Sequence, residues 1–167
     1  ASGLESLHAE LTRVLTGGPA LFRERYELIF VDDGSSDGSF ERCAAYFDRD
    51  PHLHVIRFQR NFGKTAALNA GFAAAHGRYV VTIDADLQED PEAIFDLLAK
   101  LDEGYGMVSA WRETRNDPLS KTLPSKVFNG VVASVTGLKL HDFNCGFKAY
   151  RREVVKALDL YGSQHRF

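Results

Sequence analysis

Cysteine is scarce. Cys43 and Cys145 stand far apart, without CxxC spacing, in a chain of 167 residues. That excludes a disulfide framework and a zinc ribbon and suits a reducing compartment. Long apolar runs are also missing: none approaches the roughly 18 residues needed to span a bilayer. The first residues carry no signal-peptide pattern. The polypeptide given therefore reads as soluble, which says nothing of segments beyond either end. A basic excess is lacking too. Lys and Arg total 20 against 23 Asp and Glu, for a formal net charge of −3, so the chain is not expected to be a general nucleic-acid binder. The same balance fits an ordinary solvated surface.

Two nucleotide-binding signatures fail as well. Gly63-Lys64-Thr65 resembles the end of a P-loop, but the glycine that opens that motif would fall at position 58, which is Phe58. A backbone cradle for phosphates needs that glycine. No GxGxxG follows any strand, so the dinucleotide-binding fingerprint is absent.

What is present is a core. Hydrophobic residues make up 44% of the chain, enough for one sizeable domain over residues 1–167. No internal repeat or long linker interrupts it. Short apolar strands alternate with amphipathic helices, the pattern of an α/β fold with a mostly parallel sheet flanked by helices. Leu4, Leu7, Leu11 and Leu15 share one face of a first helix ending at Gly17-Gly18. Strands are expected over 27–31, 54–58, 79–83 and 107–111. Helices are expected over about 38–48, 65–75 (closed by Gly77) and 126–135, with another after Pro91 that carries Ile94, Leu97, Leu98 and Leu101 on its core face. Cys43 reads as core, Trp111 as core or pocket wall, and His52 and His54 carry no role.

The polar clusters at 32–37 and 84–88 both follow strands, which places them at the carboxyl edge where open α/β sheets bind ligands. In Asp84-Ala-Asp86-Leu-Gln88, alternate residues of extended chain project to one side. Both carboxylates can therefore face one cation such as Mg2+ or Mn2+, with Gln88 adding a neutral oxygen; or the two acids merely cap the next turn. Asp32-Asp33-Gly34-Ser35-Ser36-Asp37 offers acceptors for a base N–H or ribose hydroxyls. Equally, it is a turn in which Gly34 supplies backbone freedom and Asp37 caps a helix. Arg60 and Lys64 flank a helix start and could face a phosphate, or be solvated loop charges. Asp142 could be a catalytic carboxylate or an ion-pair partner for Lys148, Arg151 and Arg152.

Taken in order, Val31-Asp-Asp-Gly-Ser-Ser-Asp37, Arg60-Asn-Phe-Gly-Lys-Thr-Ala-Ala-Leu-Asn-Ala-Gly71, Asp84-Ala-Asp-Leu-Gln88 and Asp142-Phe-Asn-Cys-Gly-Phe-Lys-Ala-Tyr-Arg-Arg-Glu-Val154 resemble the family 2 glycosyltransferases of the Rossmann-like GT-A fold. Within that family they look most like the polyprenyl-phosphate sugar transferases, which include the dolichol-phosphate mannose synthases. The resemblance implies that Asp32 and Asp33 hold the base and ribose of a UDP- or GDP-sugar. It places Asp84, Asp86 and Gln88 on a Mg2+ or Mn2+ ion at the diphosphate, and Arg60 and Lys64 beside the donor. Arg112 and Lys126 would meet the donor diphosphate or acceptor phosphate. Asp142 and Asp86 would be the catalytic acids. It further implies a lipid-phosphate acceptor, membrane attachment through segments outside this chain at the cytoplasmic face, and leaves room for a homo-oligomer.

Family members begin with a strand and a Pro-x-Tyr/Phe-Asn-Glu segment, whereas this chain opens in what reads as the following helix. A central first strand is thus expected to be missing from the residues given, as are the segments that normally follow Leu160–Phe167. Three rivals remain: a family 2 enzyme with a hydroxyl acceptor, a non-catalytic scaffold of the same fold, and a nucleotidyltransferase. The intact D-x-D-x-Q speaks against the scaffold.

Overall fold

The computed structural model describes residues 3–36, 38, 40–41, 50–110, 145–158 and 160–162. Helix α1 (Gly3–Gly17) comes first, followed by β1 (Leu28–Asp32) and β2 (Leu53–Arg57). Helix α2 (Lys64–Ala74) leads to β3 (Tyr79–Thr82), then to a 3-10 turn (Pro91–Ala93) that continues into α3 (Ile94–Asp102). Strands β4 (Met107–Ser109) and β5 (Lys148–Arg151) precede α4 (Arg152–Ala157). The α/β reading holds, and strand and helix edges fall within two residues of expectation. Most of the helix expected over 38–48, and all of that over 126–135, lie outside the described residues, as do Cys43 and Trp111.

β1 and β2 pair in parallel, Leu28 against Leu53 through Asp32 against Arg57. The second sheet has the order β3-β5-β4, with β5 antiparallel to both neighbours. β3 and β4 therefore run in the same direction, with one reversed strand between them. Among the described residues, no ladder joins the two sheets, and β1 and β3 are each edge strands.

One apolar cluster spans both sheets. Leu7, Leu11 and Leu15 of α1 meet Leu28, Leu53, Ala149 and Ile94, Leu97, Leu98 and Leu101 of α3. The spacing i, i+3, i+4, i+7 puts the four α3 residues on one stripe, and Leu101 is fully buried. On α1 the expected face is rotated slightly: Val14 is buried and Leu4 only partly so. Pro91 opens the 3-10 turn as expected, and the Asp90 carboxylate accepts the Glu92 N–H at 2.9 Å. Gly77 does not end α2 as a left-handed cap. The helix stops at Ala74, and Glu27 Oε1 accepts the His76 and Gly77 N–H groups at 2.7 and 2.8 Å. No helix among the described residues is long and apolar enough to cross a membrane.

Candidate functional site

The β1 strand ends in Asp32 and passes into a tight turn at Gly34, whose φ is +75°. A side chain there would be doubly excluded, because a Cβ would lie 2.7 Å from Arg60 Cα and 2.4 Å from its carbonyl carbon. The turn after β1 is thus packed directly on the loop before α2. Asp33 seals that contact: its two carboxylate oxygens accept the Phe62 N–H at 2.7 Å and the Gly63 N–H at 2.9 Å. Asp32 Oδ1 accepts the Ser35 N–H at 3.0 Å, and its Oδ2 lies 3.6 Å from Arg57 Nε. Asp32 to Ser35 thus form a turn that organises a second loop, while Asp37, read as a helix cap, lies outside the described residues.

An open cavity of about 530 Å3 lies beside it, lined by Gly34, Ser35, Ser36, Arg57, Phe58 and Gln59, a volume suited to a small-molecule ligand. It sits at the carboxyl ends of the parallel strands β1 and β2, the edge from which ligand binding was expected. Arg57 was not singled out from sequence. Its guanidinium pairs with Glu41 at 2.8 Å and stacks over Phe40 at 4.3 Å. No local signal marked it, since only the register of β1 and β2 sets Arg57 against Asp32.

Asp84 follows β3 and is the meeting point of three motifs. Lys64, the first residue of α2, donates through Nζ to both oxygens of Asp84, at 2.6 and 2.8 Å. On another side lies Gly146, where an added Cβ would fall 2.4 Å from Asp84 Oδ2. Gly146 is itself pinned, because Thr82 Oγ1 donates to its carbonyl at 2.7 Å. The loop beyond Asp84 is tightly wound. Asp86 Oδ1 accepts the Gln88 N–H at 3.1 Å, and Leu87 has φ 59°, the only positive φ outside glycine among the described residues. Such backbone strain costs about 1–3 kcal/mol and concentrates at functional sites. The start of α1 abuts this loop, with a Cβ on Gly3 falling 3.5 Å from the Ala85 carbonyl oxygen.

The residues suit a small hard cation. Asp84 already carries an ammonium on both oxygens, so the carboxylate is aimed to receive positive charge, and Asp86 and Gln88 follow on the same loop. Among the described residues no three acidic, histidine or cysteine side chains converge. An ion here would therefore share its coordination with a ligand's phosphates, the mode that Mg2+ and Mn2+ favour.

Arg60 lies on the exposed side of its loop, its guanidinium 5.0 Å from the Phe62 ring centroid. Of the residues singled out from sequence, Asp32, Asp33, Arg60 and Lys64 gather around the loop before α2, and Lys64 joins that group to Asp84. Arg112, Lys126 and Asp142 lie outside the described residues. The proximity of Gly146 to Asp84 was not anticipated, because nothing in the spacing of two segments 62 positions apart reveals a backbone approach.

Comparison with known proteins gives consistent results. The model of "Glycosyl transferase family 2" matches residues 4–159. Dodecaprenyl-phosphate galacturonate synthase of Rhizobium johnstonii is 40% identical over 149 residues, covering 87% of this chain and 44% of that protein. Undecaprenyl-phosphate 4-deoxy-4-formamido-L-arabinose transferase of Shewanella sediminis is 41% identical over 154 residues, covering 92% of this chain and 46% of that protein. The chain thus spans about half the length of the curated relatives it matches. Among solved structures, glucosyl-3-phosphoglycerate synthase of Mycobacterium tuberculosis, in complex with Mn2+, UDP-glucose and phosphoglyceric acid, superposes with a TM-score of 0.66 at 23% identity. The match covers 95% of this chain and 56% of that one. The fold is that of the GT-A glycosyltransferases, as the ordered motifs led us to expect.

Proposed function

The chain belongs to glycosyl transferase family 2, and from that premise we propose that it is the catalytic core of an inverting, metal-dependent transferase. It would move a sugar from a nucleotide-diphosphate sugar to a polyprenyl phosphate. The observation that carries this reading is the convergence of three separate motifs on one carboxylate: Asp84 of D-A-D-L-Q, Lys64 of R-N-F-G-K-T and Gly146 of D-F-N-C-G-F. The names of the relatives, both polyprenyl-phosphate sugar transferases, supply the acceptor class.

In this proposal the cavity lined by Gly34–Ser36 and Arg57–Gln59 takes the nucleoside, with Asp32 assigned to its base and ribose. Asp33, also expected there, spends both oxygens on the Phe62 and Gly63 N–H groups and holds the facing loop instead. Asp84, Asp86 and Gln88 hold Mg2+ or Mn2+. The ion, when bound, neutralises charge on the departing diphosphate. Lys64 and Arg60 bring further positive charge to the same side, and Arg112 and Lys126 are assigned to the donor diphosphate or acceptor phosphate. An acceptor phosphate oxygen attacks the anomeric carbon, the bond from that carbon to the diphosphate oxygen breaks, and the electron pair leaves with the nucleoside diphosphate. A lipid phosphate is already anionic near neutral pH, so no general base is needed. Asp142 then orients the acceptor or its cationic partners. Segments outside this chain would hold the reaction at the cytoplasmic face of a membrane.

The test uses the full-length protein with polyprenyl phosphate, a panel of UDP- and GDP-sugars, and Mn2+ or Mg2+, with products read by mass spectrometry. A metal-dependent glycosyl-phosphate lipid, lost in Asp86→Ala, is the expected result. Transfer only to hydroxyl compounds would move the acceptor class and make Asp142 the base. No turnover or donor binding at all would leave a scaffold of the same fold.

A further inference from the structure

We propose that Lys64 is the resident counter-ion of Asp84 and must release it before a divalent ion can bind, so that metal binding is coupled to the arrival of a diphosphate. This rests on the reading that Asp84 and Asp86 are the metal carboxylates, and goes beyond it by assigning an order to the site.

The geometry leaves Asp84 few alternatives. Its two oxygens are both taken by one ammonium, at 2.6 and 2.8 Å. On another side it already fills the space beside Gly146, where a Cβ would fall 2.4 to 2.8 Å from its oxygens and Cγ. Gly146 cannot retreat freely, since the Thr82 hydroxyl holds its carbonyl two residues before the β3–β5 ladder begins. A divalent ion approaching the same oxygens therefore meets a positive charge at contact distance, and the two repel.

Lys64 is built to leave. The Lys64–Asp84 pair is partly exposed, with side-chain accessibilities of 43% and 35%, so it can part without opening the core. Lysine is a compact charge on a flexible stem, and here the stem starts at the first residue of α2, beside the loop that Asp33 holds against the turn after β1. A diphosphate arriving there offers the ammonium a new anionic partner and vacates Asp84 for the metal. Without it, the ammonium and the metal compete for one carboxylate. Linkage then requires that each of metal and diphosphate raise the affinity of the other by the same factor.

The experiment is a titration of Mn2+ into the full-length protein, followed by electron paramagnetic resonance, without nucleotide and with UDP or, in parallel, GDP. Wild type should bind Mn2+ weakly alone and more tightly with one of the nucleotides. Lys64→Met should tighten nucleotide-free binding by about fivefold, the upper range for loss of an exposed pair, and the gain on adding nucleotide should shrink accordingly. Lys64→Arg keeps the charge and should keep the coupling. Lys64→Gln, with circular dichroism of every variant, guards against a folding defect peculiar to Met. If Lys64→Met and Lys64→Gln bind nucleotide-free Mn2+ as wild type does, while Asp84→Asn loses it, the latch is wrong and the metal site stands. If none of the proteins binds Mn2+ under any condition, the metal reading falls and takes the latch with it.

Discussion

Gly146 shows how much a missing side chain can determine. Its α-carbon faces Asp84 so closely that any Cβ would overlap the carboxylate, and Asp84 is held from another side by Lys64. Gly146→Ala must displace one of the three. The cheapest response is rotation of Asp84, because the Gly146 carbonyl is tied to Thr82 two residues before β5 begins. Overpacking of this kind costs about 1–3 kcal/mol, within what a domain with this core tolerates. A displacement of roughly 1 Å at a reacting group, by contrast, can cost about 100-fold in rate. We expect Gly146→Ala to stay folded by urea denaturation and to lose about two orders of magnitude in donor turnover. Turnover within a factor of two of wild type would mean that Asp84 has room the geometry denies it.

At the scale of elements, the joints matter more than the elements themselves. Glu27 precedes β1 and clasps the turn between α2 and β3 by accepting two backbone N–H groups. Partial burial raises its carboxyl pKa, but the N–H groups of His76 and Gly77, with the His76 ring, outweigh it and hold the group below its ordinary 4.5. A lowered folded-state value means that the clasp contributes fully above about 4.5 and is lost as pH falls through the folded value. Glu27→Gln keeps one acceptor oxygen without the charge and should cost about 1 kcal/mol at pH 7. The gap from wild type should close in acid, as read from urea midpoints across a pH series. A gap that persists unchanged at pH 3 would place the effect in packing instead of charge.

The same scale marks what could be read from the sequence. The α3 stripe Ile94, Leu97, Leu98 and Leu101 was legible because period 3.6 and burial coincide. The strands were legible because β-branched runs end in polar turns. Asp84 and Asp86 were expected to project from extended chain, but residues 85–87 are wound into a turn with Leu87 at φ 59°, so alternation along a strand does not describe them. The grip of Asp33 on residues 62 and 63, the Lys64–Asp84 pair and the approach of Gly146 were not legible. Each joins segments 20 or more positions apart, and tertiary packing alone decides which atoms of such segments meet.

At the scale of the whole molecule, one apolar cluster among the described residues spans two ladders, with a smaller cluster around Phe72, Tyr150 and Val155 beside it. Leu28 and Leu53 of the first sheet and Ala149 of the second belong to a single apolar cluster, with Phe30, Tyr79 and Val81 packed against it. Unfolding should therefore be shared by both sheets. No backbone ladder among the described residues nevertheless joins the two sheets. Leu28 N–H donates to His52 and Asp32 accepts from Phe58, so the even positions of β1 face β2, while Ile29 and Val31 face the other way. Arg152 N–H donates to Arg78, so Val80 and Thr82 face β5, while Tyr79 and Val81 turn toward the opposite edge. We expect amide exchange in this chain to alternate along both strands: slow at Phe30 and Val80, faster at Ile29, Val31, Tyr79 and Val81, although these residues are similarly half-buried. Residue-resolved hydrogen exchange by NMR tests this directly. Uniform protection along β1 and β3 would show that something already pairs with those edges. Alternating protection with coincident urea transitions for the two sheets would show that the apolar cluster alone holds β1 against β3, and hence the cavity beside β1 against the carboxylates that follow β3.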